Sequence, residues 1–457
     1  MCYSQCVSRR TCHKPRRGPQ VALGKRDTQT QVKHLVLSNY LGAWAGIIVN
    51  GLAKTAQSQL SQGRPFQVQF LYVDGFSHKG LYLGDTADLL LGASANGSVW
   101  GSPVVGIQEL DRARAFALKT YGFNLDVRAV LVEERKEHFD DLQESLKLAG
   151  FGDRIITNPV KLLPPSGYVT TIQGDFLQSV DKLIAATAIG YNWTFLFLDP
   201  WGPTGIPYDV VSRLIALQKT DVMINLPYYD LHKKQGILHR MWEASSDEGL
   251  LRNYDALFGT DEWRKRCRTA FASAEDHDRS WRIENELASF YLERLRMADP
   301  SLAVKHIRLQ FPDRERAMFY LFLTTHDPSG ALALNQILAE AELSEYERKW
   351  NYQQAKWVHR SNQVGQRTLF EFGLGSEEPP PRVVRTVDAE AVGKHVWNEF
   401  RGQQRTKRDV YRFLANSDLF AKDIDRALTS LKKRSLASYG SSPRLDDLIT
   451  FASGKSP

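Results

Sequence analysis

The sequence predicts an α/β fold: a doubly wound, mostly parallel sheet closed by a β-hairpin, followed by a separate helix-turn-helix module. Three observations carry this. Between residues 66 and 227, short runs rich in β-branched and aromatic residues alternate with stretches of helical period, the pattern of a parallel sheet covered on both faces. Two further apolar runs, 302–311 and 316–326, flank the turn PDRE and read as a hairpin. An acidic, proline-bearing stretch, 373–388, then sets off a last segment with its own helical pattern.

The elements follow in order. Val32, Leu35, Val36, Tyr40, Leu41 and Trp44 share one face of a helix, with Asp27 or Thr28 as its cap. FQVQFLYVDGF (66–76) is a buried strand ended by Asp-Gly. DVRAVLVEE (126–134), YVTTIQGDF (168–176), WTFLFLDPWG (193–202) and TDVMINLP (220–227) are the next strands. The helices between them are RKEHFDDLQESLKLAG (135–150), LQSVDKLIAATAIG (177–190) and PYDVVSRLIALQ (207–218), the last with Pro207 in its first turn. A helical insertion at about 229–300 precedes the hairpin, and a hairpin closing such a sheet is typical of the methyltransferase-like Rossmann variety. The predicted units are a basic, disordered arm (1–26), a Rossmann-like domain (27–345), an extended segment and linker (346–384) and a C-terminal module (385–457). The linker is expected to hold the two cores apart.

At 457 residues the chain is long enough for two or three domains, at roughly 100–200 residues each. It shows no continuous apolar run of about 18 residues, so no membrane span is expected, and no secretory h-region; a cytoplasmic location is the default expectation. The net charge of +7 is uneven: 1–26 carries seven basic residues and no acid, 27–384 sums to −5, and 385–457 to +5. Basic ends suit nucleic acid, and equally a solvated tail and an ordinary charged surface. Cys2, Cys6 and Cys12 stand beside His13 in the arm, in a spacing that fits neither the usual zinc patterns nor the radical-SAM cysteine run. No metal site is expected; the arm reads as a disordered extension or as translation from a start upstream of the functional one.

Ligands of open α/β sheets bind outside the carboxyl ends of the strands. Those ends are Asp74-Gly75-Phe76, Glu133, Gly174-Asp175-Phe176, Asp199-Pro200-Trp201-Gly202 and Asn225-Leu226-Pro227. The set suits S-adenosylmethionine (SAM). A carboxylate accepts both hydroxyls of a ribose diol, a role for Glu133. Asp175 suits the adenine amine, with Phe176 against the ring. The turn DGFSHKGLYLG, with Gly75 and Gly80, suits close approach of the methionine moiety. Asp199 and the Pro200 carbonyl accept hydrogen bonds from an attacking amine, and Trp201 stacks on a planar substrate, so that positioning supplies much of the catalysis. Each feature has a plainer alternative: acids at strand ends cap the following helix, and D-P-x-G is also an ordinary turn.

VKHLVLSNYLGAW, LYVDGFSHKGLY, GSP at 101–103, LVEE, IQGDF, FLFLDPWG and MINLP together resemble the three-Cys-motif partner (TcmP) family over roughly 28–330. The resemblance implies a SAM-methyltransferase-like fold, a loop related to the D-P-F-G of tRNA guanine dimethyltransferases, and a phage-type, radical-SAM-like three-Cys-motif protein as partner. It supplies no substrate. The family's first loop reads D-G-F-A-G-P-G; here His78 replaces a glycine, and either Lys79 pairs with the SAM carboxylate or the two side chains obstruct it.

The segment TKRDVYRFLANSDLFAKDIDRALTSLKKRSLASYG resembles the winged helix-turn-helix often fused to this family, with Lys422, Arg426, Lys432, Lys433 and Arg434 as phosphate contacts; winged helices also dock proteins. QRTLFEF (366–372) fits Q-x-x-L-F, in which Gln366, Leu369 and Phe370 either dock on a sliding clamp or fold back as a clasp. Two functions stay open: a SAM-dependent methyltransferase acting on an amino group of a nucleic acid, or a non-catalytic protein of the same fold that binds nucleic acid or the partner.

Overall fold

The computed structural model describes residues 24–26, 28–85, 98–188, 192–200, 206–228, 248–275, 279–313, 316–364, 385–441 and 443–454. Cys2, Cys6 and Cys12, the cap Asp27, Trp201, Gly202, and the peptide bearing Gln366, Leu369 and Phe370 lie outside them.

The strands are β1 (Gly24–Arg26), β2 (Gln67–Asp74), β3 (Leu81–Asp85), β4 (Ser98–Trp100), β5 (Asn124–Glu133), β6 (Ile155–Thr157), β7 (Val169–Gln173), β8 (Asn192–Leu198), β9 (Thr220–Leu226), β10 (Ala303–Gln310), β11 (Ala317–Thr325), β12 (Gln404–Thr406), β13 (Ala437–Ser438) and β14 (Leu448–Phe451). The helices are α1 (Thr28–Ser61), α2 (Ser102–Tyr121), α3 (Lys136–Leu148), α4 (Phe176–Ala188), α5 (Tyr208–Ile215), α6 (Glu248–Phe258), α7 (Glu262–Ala272), α8 (Arg279–Ala298), α9 (Pro328–Val364), α10 (Ala389–Phe400), α11 (Lys407–Leu414) and α12 (Ala421–Lys433).

The central sheet has eight strands in the order β10-β11-β9-β8-β2-β5-β7-β6. β2, β5, β6, β7, β8 and β9 run parallel. β11 is antiparallel to β9, and β10 to β11, which makes the predicted closing hairpin. From β2 the chain builds outward to β5 and β7, then returns to place β8 and β9 on the other side. The strand order therefore reverses at β2, where such sheets bind ligands.

Each strand divides its side chains between two cores, as the period of two demands. Phe70 and Tyr72 of β2 face a core shared with α1, α2 and α9, whereas Leu71 and Val73 face one shared with α4, α5 and α6–α8. The predicted face of α1 is the buried one, with Leu35 half-buried at its edge: Val32, Val36, Tyr40, Leu41 and Trp44 are each 4% exposed or less. By length and mean hydropathy (1.4) alone the helix Thr30–Ser61 is long and apolar enough to cross a membrane; its buried face packs on the sheet, and α1 also lies against α2 and α9. Gly106 lets α2 settle on β2, because a Cβ there would meet the Tyr72 ring at 2.2 Å.

Three sequence expectations need correction. The end of the arm is structured: Gly24–Arg26 forms β1, which pairs in parallel with β3 in a small sheet completed by β4. The segment from 346 is not extended, since α9 continues to Val364; it mixes good helix formers (Glu, Arg, Lys, Gln, Ala) with weaker ones, and Lys349, Gln353 and Lys356 tie it to Gln310, Pro312 and Asp313. And the C-terminal module is not held apart. Leu332 of α9 is part of that module's core. Asn335 of α9 donates to the carbonyls of Ser417 and Leu419 at 2.8 and 2.6 Å, and Asn416 accepts from the Val304 amide at 3.2 Å.

In the module, α10, α11 and α12 enclose a core including Trp397, Val410 and Leu428 beside the three-stranded sheet β12-β14-β13. α11 begins with a capping box in which Thr406 and Asp409 satisfy each other's backbone amides.

Candidate functional site at the carboxyl ends of the strands

Asp74, Glu133 and Asp199 stand just at or beyond the ends of β2, β5 and β8, which are adjacent in the sheet, and Asn225 lies near the end of β9. Asp74 is fully buried. It accepts from the Tyr72 hydroxyl at 3.2 Å and from the Phe76 amide at 3.1 Å; the Tyr72 hydroxyl also lies 3.1 Å from the carbonyl of Ser102, the first residue of α2. Burial pushes the Asp74 carboxyl up to about 7, with the negative charge of Asp199 adding to it, against hydrogen bonds led by Ser102.

Asp199 is held from two sides. Lys33, near the start of α1, gives its ammonium to Oδ2 at 2.7 Å, and Asn225 gives Nδ2 to Oδ1 at 2.5 Å. The Lys33 ammonium also lies 4.4 Å from the centre of the Phe319 ring. The Oδ1 of Asn225 is buried and accepts no hydrogen bond among the described residues. An acceptor left over beside a carboxylate suits a ligand N–H donor.

Glu133 is 8% exposed. It accepts the His78 amide on Oε2 and the Arg135 amide on Oε1, both at 2.9 Å. His78 reaches this position with φ +50, a left-handed conformation uncommon outside glycine. Its ring lies 4.3 Å from that of His138. Burial, then the neighbouring His138 and Lys79, push the His78 imidazole down to about 4. Lys79 pairs with Asp141 at 3.0 Å, and its carbonyl accepts from Ser145 at 2.6 Å.

The remaining predicted residues have local partners. Gly75 is needed for packing: a Cβ there would meet Phe176 at 2.9 Å and Leu198 at 3.1 Å. Phe176 is 2% exposed, with its ring 5.3 Å from Phe76. Asp175 accepts the Leu177 amide at 3.0 Å and so serves the first turn of α4. Gly80 has φ +70, a conformation that favours glycine. Pro200 is buried directly after Asp199. Lys422, Arg426, Lys432, Lys433 and Arg434 are all exposed. Lys432 also binds the Tyr439 and Gly440 carbonyls at 2.8 and 2.9 Å, Arg434 lies 3.7 Å from Glu390, and the Lys422 ammonium lies 5.3 Å from the Phe420 ring centre.

Lys33 and Tyr72 were not singled out from the sequence. Lys33 stands in line with apolar residues on α1 and 166 positions from Asp199, and Tyr72 reads as one more aromatic of a buried strand.

SAM fits some of these groups. A carboxylate has about four acceptor positions, and the two amides on Glu133 leave room for a diol. Asn225 and Asp199 present acceptors to an amine. Among the described residues, no cluster of His, Cys, Asp or Glu could hold a metal ion.

Fold and strand ends together define a hairpin-closed, doubly wound α/β domain with a polar centre at its switch point. No family model matches the sequence, and no curated protein matches it; the resemblance to the TcmP family rests on the stretches quoted above. Among solved structures, protein LPL1258 of Legionella pneumophila, a DUF519 protein, aligns over 69% of this chain and 91% of its own at 12% identity and a TM-score of 0.35. An O-methyltransferase of Bacillus cereus, solved with SAH, aligns over 64% and 90% at 12% identity and a TM-score of 0.25. At such scores neither adds to what the topology itself shows.

Proposed function

We propose that the protein is a cytoplasmic SAM-dependent methyltransferase acting on an amino group of a nucleic acid, together with a radical-SAM-like three-Cys-motif partner. One observation carries the catalytic part: Asp74, Glu133, Asp199 and Asn225 gather at the carboxyl ends of four adjacent strands around the switch point. SAM would supply an activated methyl group. Glu133 would hold its ribose and Asp175 its adenine amine. Asp199, the Pro200 carbonyl and Asn225 would orient the substrate amine in line, with Trp201 against the substrate ring. Orientation of this kind accounts for much of a transfer that needs no strong base.

The nucleic-acid part rests on the C-terminal module, which has the element order of a winged helix. Lys422, Arg426 and Lys433 recur at helical spacing on α12 and would meet phosphates. Lys432 and Arg434, exposed beside them, would add phosphate contacts at the end of the helix.

A second reading has its own support. The Lys33 ammonium occupies Asp199 where a substrate amine would bind, and the His78 amide occupies Glu133. Both fit a protein that keeps the fold and binds nucleic acid or its partner without methylating. Transfer of labelled methyl from SAM to nucleic acid separates the two. On the enzyme reading Asp199→Ala abolishes transfer and leaves SAM affinity within a few-fold. Equal loss of both would make Asp199 a structural or cofactor residue, and no transfer by the wild type to any nucleic acid would favour the second reading.

A further inference from the structure

The opposite ends of the same strands carry a recess. A cavity of about 350 Å3 lies between α1, the beginnings of β8 and β9, the end of β11 and the C-terminal module, within the roughly 300–1,000 Å3 of small-molecule pockets. One wall is aliphatic, from Ile47, Ile48 and Leu52 of α1, and Trp193 at the start of β8 stands beside it. Asp221, 6% exposed and the second residue of β9, also lines it.

The charged groups around the cavity are already matched. Arg408 lies 3.4 Å from Asp327 and 2.9 Å from Asp446. His326 meets Asp299 at 3.1 Å. The Lys219 ammonium sits 5.4 Å from the Trp193 ring centre. Asp221 receives the Tyr40 hydroxyl at 2.7 Å, and burial holds its carboxyl up to about 7, against hydrogen bonds from Tyr40 and Thr325. A carboxyl group has more acceptor positions than two hydroxyls fill. With acids and bases both at its rim, the cavity does not select for net charge.

The geometry points to a binding site here for a small, neutral, planar heteroaromatic molecule bearing an N–H, its ring against Trp193 and the aliphatic wall of α1 and its N–H donating to Asp221. Flat aromatic and aliphatic walls favour a ring, and a buried acceptor rejects an analogue that cannot donate. The site is separate from the candidate methyl-transfer site, since it lies at the amino ends of β8 and β9. Arg408 and Leu445 close one side, so a bound molecule touches both the sheet domain and the C-terminal module.

Benzimidazole and 1-methylbenzimidazole, of nearly the same shape and differing in the N–H, test this on the full chain by ligand-observed NMR titration at pH 7.5. Saturable benzimidazole binding is expected, at least tenfold weaker for the N-methyl analogue and at least tenfold weaker for Trp193→Ala, whose fold is checked by circular dichroism. No saturable binding of benzimidazole, equal affinity for the two ligands, or unchanged binding by folded Trp193→Ala would overturn the assignment. The ligand pair tests the wild type directly and does not depend on an Asp221 variant folding.

Discussion

Lys33→Met removes the cation from Asp199 and keeps most of the side chain's volume. Lys33 is 7% and Asp199 23% exposed, at 2.7 Å. Breaking a fully buried pair costs about 3–5 kcal/mol, because a charge is stranded, whereas exposed pairs are worth about 0–1 kcal/mol. Asp199 lies between these cases and keeps its hydrogen bond from Asn225, so the stranded carboxylate should cost about 2 kcal/mol. Loss of the ammonium over Phe319 adds about 0.5–1 kcal/mol. The expected total of about 2–3 kcal/mol lowers Tm by about 4–6 °C in a domain of this size. In an Asp199→Asn background no charge is stranded, and the same substitution should cost about 1 kcal/mol. Thermal and urea unfolding of the four proteins of this cycle, followed by circular dichroism, measures the coupling. Additive effects, within about 0.3 kcal/mol, would refute the claim that Lys33 holds Asp199 in place.

Three further outcomes are expected. Burial raises the Asp74 carboxyl from 3.8 to about 7, so its charge opposes folding: wild-type stability falls relative to Asp74→Asn between pH 4 and 7, by at most about 4 kcal/mol, and a pH-independent difference would contradict this. The His78 imidazole is lowered to about 4, so its contribution is intact above pH 6.5 and is lost as pH falls toward 4; His78→Asn, which tolerates the left-handed backbone, should flatten that acid limb in pH-dependent unfolding. Deleting 385–457 uncovers Leu332 and strips Asn335 of its partners, so the remaining domain should melt several degrees lower and bind nucleic acid with a smaller salt slope; unchanged melting would show the contact to be unimportant for stability.

Much of the fold is legible in the sequence because the parallel strands are buried on both faces and read as apolar runs, with acids only near their ends. Glu133 and Asp199 are visible for that reason. The stretch SPVVGIQELDRARAFALKTY offers fewer signals, and α2 is understood only once Gly106 is seen against Tyr72. α9 outruns its expected end because ERKWNYQQAKWVHRS continues a helix that is already packed, and Lys349, Gln353 and Lys356 bind Gln310, Pro312 and Asp313 at the hairpin, contacts that no local pattern shows. What the sequence hides most is long-range polar pairing. Lys33 on Asp199 and the His78 amide on Glu133 join positions 166 and 55 residues apart, and no local pattern encodes either.

Isothermal titration of the folded wild-type chain with SAM is the most direct test of the proposed function. The account predicts saturable binding that Glu133→Ala weakens at least tenfold, or about 1.4 kcal/mol, through loss of the acceptor for the ribose diol. Absence of SAM binding by the folded wild type would contradict it and leave the Lys33 and His78 contacts as marks of a non-catalytic protein.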